Sequence, residues 1–230
     1  MAKKAKRLQS KYRLIAIDPG KKWCVVISKK HYPAPVNGPK EVIFLSGTEK
    51  EYTVGCKEMI VAINNALGKL SPGLARDETL LIMIEEPIGT MIRSIKSIMA
   101  QVGSVYYAFD SNHCHDPEDD SNFDQVIQCR PSDWKVFMRE SGLVAGLSGN
   151  VGYKDKVTVD QDTQEKRTKF GYLNLIRKRF KRPTWTPDQA SAFSMLQLMY
   201  SKADALIKSV EISRAKKTKK QARAKKKGAD

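Results

Sequence analysis

Three carboxylates stand where apolar segments end: Asp18, Glu85 and Asp188. Asp18 closes the run Leu14, Ile15, Ala16, Ile17, and Pro19-Gly20 turns the chain directly after it. A charge at the last position of a buried strand is costly unless it is paired or holds a metal ion. Glu85 repeats the arrangement at the end of TLLIMI, residues 79–84. Asp188 follows Thr186-Pro187 in the first turn of a long helical pattern. Each acid has a plainer reading when taken alone. Asp before Pro-Gly starts turns, Glu at a strand end faces loops, and an acid suits the positive end of any helix. The recurrence of one setting is what points to chemistry.

The elements around these acids follow from periodicity. Residues 13–28, RLIAIDPGKKWCVVIS, read as two strands of a tight hairpin. A Pro/Gly-rich loop at 32–40 and a short strand at 41–45 complete an antiparallel meander. Residues 54–70 carry apolar positions at helical spacing and stop at Ser71-Pro72-Gly73. The continuously apolar run 79–84 fits a strand covered on both faces. A helix is expected over 91–109, a strand over 125–130 and a helix from Pro131 to about Glu140, with Ser132 or Asp133 suited to capping. Six acids between Asp110 and Asp124 predict a polar loop. Residues 142–162 predict a mobile loop, and 165–181 a basic helix with Lys166, Arg167 and Lys169 on its polar side. From Pro187 the last helix places Phe193, Leu196, Tyr200, Ala203, Ile207 and Val210 in a heptad-like stripe that fits a sheet or a partner subunit.

Charge narrows the class of partner. The 230 residues hold 41 Lys and Arg against 25 Asp and Glu, a net charge of +16. Six of the cations fall within the first 13 residues, Arg13 included, and nine more between Arg214 and Lys227. Basic ends on a balanced body suggest arms that hold a polyanion, with Lys216, Lys217, Lys219 and Lys220 as contacts. The expected organisation is a basic arm (1–12), a folded domain (13–213) and an unstructured basic tail (214–230). Cys24, Cys56, Cys114 and Cys129 lack paired spacing and read as free thiols of a reducing compartment. His113-Cys114-His115 has no second half-site with which to hold a metal. No signal core or membrane span is evident, so an intracellular protein is expected: cytoplasmic or nucleoid-associated in a bacterium or phage, nuclear or organellar in a eukaryote.

The ordered set IAIDPG, MIEEP, CRPSDWK, Lys169 and PDQASAF resembles the RuvC family of Holliday-junction resolvases within the ribonuclease H-like superfamily. The resemblance implies an α/β fold, with a ribonuclease H-like mixed sheet, flanking helices and a long C-terminal helix. It also implies a homodimer that cuts four-way junctions and other branched DNA. Two divalent ions per site are implied, normally Mg2+ with Mn2+ as the substitute. Asp18 would bridge them, Glu85 and Asp188 would complete the ligands, and Lys169 would meet the scissile phosphate region. Hard cations favour such oxygen donors. Glu86 occupies a position where the family often has an uncharged residue, so it ranks below Glu85.

The chain departs from the family at Ser191, one helical turn after Asp188, where another acid is usual. Three outcomes are open: Asp188 suffices alone, Asp155, Asp160 or Asp162 substitutes, or the protein binds junctions and cuts poorly. The competing functions are accordingly a junction endonuclease, a non-catalytic branched-nucleic-acid binder, and a nuclease of ribonuclease H or transposase type.

Overall fold

The computed structural model describes residues 11–48, 57–71, 78–87, 92–109, 124–145, 152, 154–159, 166–169 and 171–227. Strands β1 (Lys11–Asp18), β2 (Lys22–Ser28) and β3 (Val42–Thr48) form the expected meander. Helix α1 (Lys57–Leu70) leads to β4 (Glu78–Glu85), which lies parallel to β1. Helix α2 (Ile92–Phe109) then crosses to β5 (Gln125–Cys129), parallel to β4. The sheet order is β3-β2-β1-β4-β5, three antiparallel strands followed by two parallel additions. This is the mixed sheet of the ribonuclease H-like fold.

Alternation along the central strands divides the core into two layers. Ile15, Ile17, Val25, Ile27, Leu80, Ile82 and Ile84 face α1 and α2, meeting Met59, Ile63, Val102 and Val105. Leu14, Ala16, Cys24, Val26, Leu81 and Met83 face the other side. There α3 (Pro131–Glu140), α4 (Tyr172–Phe180) and α5 (Pro187–Lys227) supply Trp134, Met138, Ile176 and Phe193. The stripe along α5 is used up in this layer: Phe193, Leu196, Ala203 and Val210 are buried, and Tyr200 and Ile207 are half-buried. It therefore serves the sheet and leaves no free seam for a partner subunit.

Five expectations are corrected. The basic helix expected over 165–181 divides into a strand, β7 (Lys166–Lys169), and the shorter α4. Thr168 and its neighbours pair with β6 (Lys156–Val159), inside the segment read as a loop, where β-branched Val and Thr favour the extended state. Asp124, counted among the acids of the polar loop, is buried and accepts the Leu80 N–H at 2.7 Å. Helix α5 continues past residue 213 to Lys227, because its Lys, Ala, Arg and Gln residues are strong helix formers. Arg13, counted among the cations of the N-terminal end, is only 1% exposed, and β1 begins at Lys11, two residues inside the arm expected over 1–12.

Arg13 instead anchors the start of β1. Its Nε donates to Glu78 Oε2 at 2.8 Å, and its Nη1 donates to the Ser28 and Lys29 carbonyls at 2.7 and 2.9 Å. His31 Nε2 lies 2.5 Å from the same Glu78 oxygen. Removing one member of a buried pair strands the other charge. Glu78→Ala is therefore expected to cost roughly 3–5 kcal/mol, read as a lower urea midpoint. A loss below about 1 kcal/mol, the scale of an exposed pair, would contradict that role.

Candidate functional site

Asp18 and Glu85 occupy the carboxyl ends of two adjacent parallel strands. Ile17 and Ile84 are register partners, so the next residue of each strand ends at the same level. Alternation puts Asp18 on the face of Leu14 and Ala16, and Glu85 on the face of Leu81 and Met83. Both acids thus emerge beneath α5. The first turn of that helix carries Asp188, and its N-terminus is closed by a reciprocal cap: Gln189 N–H donates to Thr186 Oγ1, and Thr186 N–H to Gln189 Oε1. The carboxyl end of a parallel strand pair is the usual location of ligand sites in such sheets.

The electrostatics are those of crowded acids. Burial pushes the Asp18 carboxyl well above its ordinary value, and the charge of Glu85, a hydrogen bond to it and the charge of Asp188 push the same way. Burial also raises Glu85, opposed by hydrogen bonds from Asp18 and from the Trp134 indole, 3.2 Å away, and by the charge of Lys135. Asp188, half-buried, is raised by desolvation and drawn back by Lys22. Beside it a cleft of about 200 Å³ is lined by Lys22, Cys24, Ser46, Thr48 and Thr186 among others.

Beside Ser191, singled out in the sequence as the departure from the family, the site holds residues that carried no role there. Ser191 is buried and hydrogen-bonds Asp18, and its Oγ stands 3.4 Å from Tyr172 Oη. The Tyr172 phenol is pushed up to about 12, first by burial and then by the three acids. Lys135 Nζ lies 5.0 Å from the centre of the Tyr172 ring and 5.3 Å from that of Trp134. Its ammonium is pushed downward by burial and held up by Glu85. Cys24 faces Asp18 across the hairpin, and its thiol is driven upward by burial and by Asp18 and Asp188. The signal available for Lys135 was its place next to Trp134 within CRPSDWK. Tyr172 and Cys24 had none beyond their neighbours.

The remaining candidates fall elsewhere. Glu86 points to the surface, where Arg130 Nε donates to it at 3.1 Å. Asp155 accepts from Gly171 N–H at 2.7 Å and Asn174 Nδ2 at 2.8 Å, closing the N-terminus of α4. Its carboxylate is thus engaged in capping α4. Asp160, Asp162 and the 113–115 motif lie outside the described residues. Lys166, Arg167 and Lys169 are on β7, and Lys216, Lys217, Lys219 and Lys220 on the far part of α5. Cys24 and Cys129 are free, while Cys56 and Cys114 lie outside the described residues.

Among the described residues, no three His, Cys, Asp or Glu side chains are close enough to make a ready cation cage. The donor chemistry nevertheless suits a hard divalent ion: Asp18 and Glu85 meet through their side chains, burial opposes their ionisation, and Asp188 is within electrostatic reach. Among the described residues no helix is long and apolar enough to cross a membrane.

No family model matches the chain, and no curated protein matches it. A search of solved structures finds the Thermus thermophilus RuvC structure, with a TM-score of 0.42 and 10% identity over 84% of this chain and 96% of that one. At that distance the match adds nothing to what the strand order already establishes.

Proposed function

We infer that the chain is a metal-dependent, structure-selective endonuclease that acts on four-way junctions and other branched DNA. The observation that carries this reading is the meeting of Asp18 and Glu85 beneath Asp188 at the carboxyl ends of β1 and β4. Three acids crowd one another there, with burial opposing their ionisation. Asp18, Glu85 and Asp188 would hold two Mg2+ ions, with Mn2+ as substitute. When bound, such ions supply an activated water and stabilise the leaving 3′ oxygen of a phosphodiester. The chain's own residues do the rest. Trp134 fixes Glu85 through its indole N–H, and Ser191 orients Asp18. Lys135 brings a positive charge beside Glu85. Lys169 would meet the DNA backbone near the site. The basic far part of α5 would add sequence-independent attraction to phosphates.

A nicking assay on a four-way junction tests the reading. Paired nicks with Mg2+ or Mn2+ and none with EDTA are expected. Tight junction binding without nicks in either metal would favour the second reading, a non-catalytic binder. Ser191 supports that alternative, because it places a hydroxyl where another carboxylate would strengthen the hold on a dication.

A two-fold symmetric junction calls for two active sites, so a homodimer belongs to the proposal. With the α5 stripe buried, the outer side of α2 is the better surface. Tyr107, 75% exposed, and Val61 of α1 line a groove of about 500 Å³, and Met99 on the same helix is 50% exposed. The double change Met99→Glu and Tyr107→Glu is expected to halve a particle of twice the 25.9 kDa chain mass in light scattering. A particle of unchanged mass would place the interface elsewhere.

A further inference from the structure

The β6–β7 ribbon is separate from the five-stranded sheet, and its register is unusual for a free-standing hairpin. Lys156 lies directly opposite Lys169, and Thr158 opposite Arg167. Pleating places these four positions on one face of the ribbon, which therefore carries three cations and a threonine and no apolar residue. The other face takes Val157, Val159, Lys166 and Thr168. Two-stranded ribbons are marginal on their own, and like charges directly opposite each other weaken the pairing further. Lys156 is exposed to solvent. A polyanion laid across that face would turn the repulsion into attraction.

The ribbon is also tied to the acids. Asp155, just before β6, holds Gly171 N–H and the Asn174 amide, and Tyr172 N–H donates to the Gly152 carbonyl at 2.9 Å. The base of the ribbon, ahead of β6, is thus fastened to the start of α4. Tyr172, whose hydroxyl stands at Ser191, follows Lys169 by only three residues, which limits their Cα separation to about 11 Å. The base of the ribbon is thereby linked to the residue whose hydroxyl meets Ser191.

Resting on the endonuclease reading, we propose that the β6–β7 ribbon is a phosphate-gripping finger that holds one duplex arm of the branched DNA beside the acids. Lys156 and Arg167 are its principal contacts away from the cleavage point. A two-stranded ribbon matches the width of a B-form major groove, about 12 Å, so it can seat there with its cations toward the flanking phosphates.

Equilibrium binding to a four-way junction in EDTA, at several salt concentrations, tests the finger without reference to cleavage. Lys156→Gln with Arg167→Gln should flatten the slope of log K against log salt by about 2, since each phosphate contact contributes about 0.9. Affinity near 0.1 M salt should fall roughly tenfold or more. The charge-keeping pair Lys156→Arg with Arg167→Lys should retain the wild-type slope, as should Val157→Thr with Val159→Thr on the opposite face. Wild-type slope and affinity in the Gln pair would overturn the finger and leave the endonuclease reading standing. Failure of the unaltered protein to bind junction DNA even at low salt would overturn both.

Discussion

Asp18→Asn is expected to stop junction cleavage while making the ion-free protein more stable. On the proposed mechanism the loss of the bridging carboxylate lowers turnover by at least about a thousandfold, equivalent to about 4 kcal/mol of transition-state stabilisation. The stability gain follows from the crowding. In the unfolded chain Asp18 releases its proton near pH 4, whereas in the folded protein burial and Glu85 keep it on to higher pH. Between those values the folded state binds more protons than the unfolded one, so stability declines as pH rises through that window. The Asn variant is free of that decline at position 18. Thermal melts in EDTA at pH 5 and pH 8 should therefore separate the two proteins more at pH 8. Mg2+ should raise the melting temperature of the wild type more than that of the variant. Turnover by the variant within tenfold of wild type would remove Asp18 from the chemistry. A variant less stable than wild type at pH 8 would show that the buried carboxyl carries no penalty.

Trp134→Ala is expected to destabilise the fold by about 3–5 kcal/mol. The ring is 1% exposed, packs edge-on against Tyr172 at 5.3 Å and lies beneath Lys135. Trp134→Phe separates two contributions. It keeps an aromatic ring in the layer but withdraws the indole N–H from Glu85. The Phe variant should recover at least half of the lost urea midpoint, yet bind Mg2+ more weakly than wild type, because the Glu85 carboxylate then loses the indole N–H that orients it. Equal destabilisation by both changes would mean that the hydrogen bond, rather than the ring's volume, holds this corner together.

The parts of the site delivered by strand ends were legible in the sequence. The apolar runs before Asp18 and Glu85 are long enough to declare buried strands, and two-residue alternation then fixes the face each acid takes. The last helix was equally legible from its stripe, although its far end was not: periodicity ceases after Val210, and composition rather than pattern continues the helix. The ribbon escaped notice because Lys166, Arg167, Thr168 and Lys169 have no apolar alternation to betray a strand. Arg13 and Asp124 were misplaced for a related reason. A charged residue looks like surface until its partner, Glu78 or the Leu80 N–H, is known, and both partners lie more than 40 residues away in sequence. Tyr172 and Lys135 depend on where α3 and α4 dock on the sheet, which no local spacing records.

The buried pair of Arg13 and Glu78 sits at the opposite end of β1 and β4 from the acids, and its position works as an alignment key. Two parallel strands made almost entirely of Leu, Ile, Met and Ala have little to distinguish one pairing from another displaced by two residues, since each such shift keeps every side chain on its own face. A two-residue slide would carry Glu85 about 6.6 Å along Asp18's strand, leaving the core greasy and filled but the carboxyls unable to meet. Only one offset lets the guanidinium of Arg13 reach Glu78 and the Ser28 and Lys29 carbonyls together. The wrong alignments are thereby rejected at the entrance of the strands, about five residues before the acids are reached.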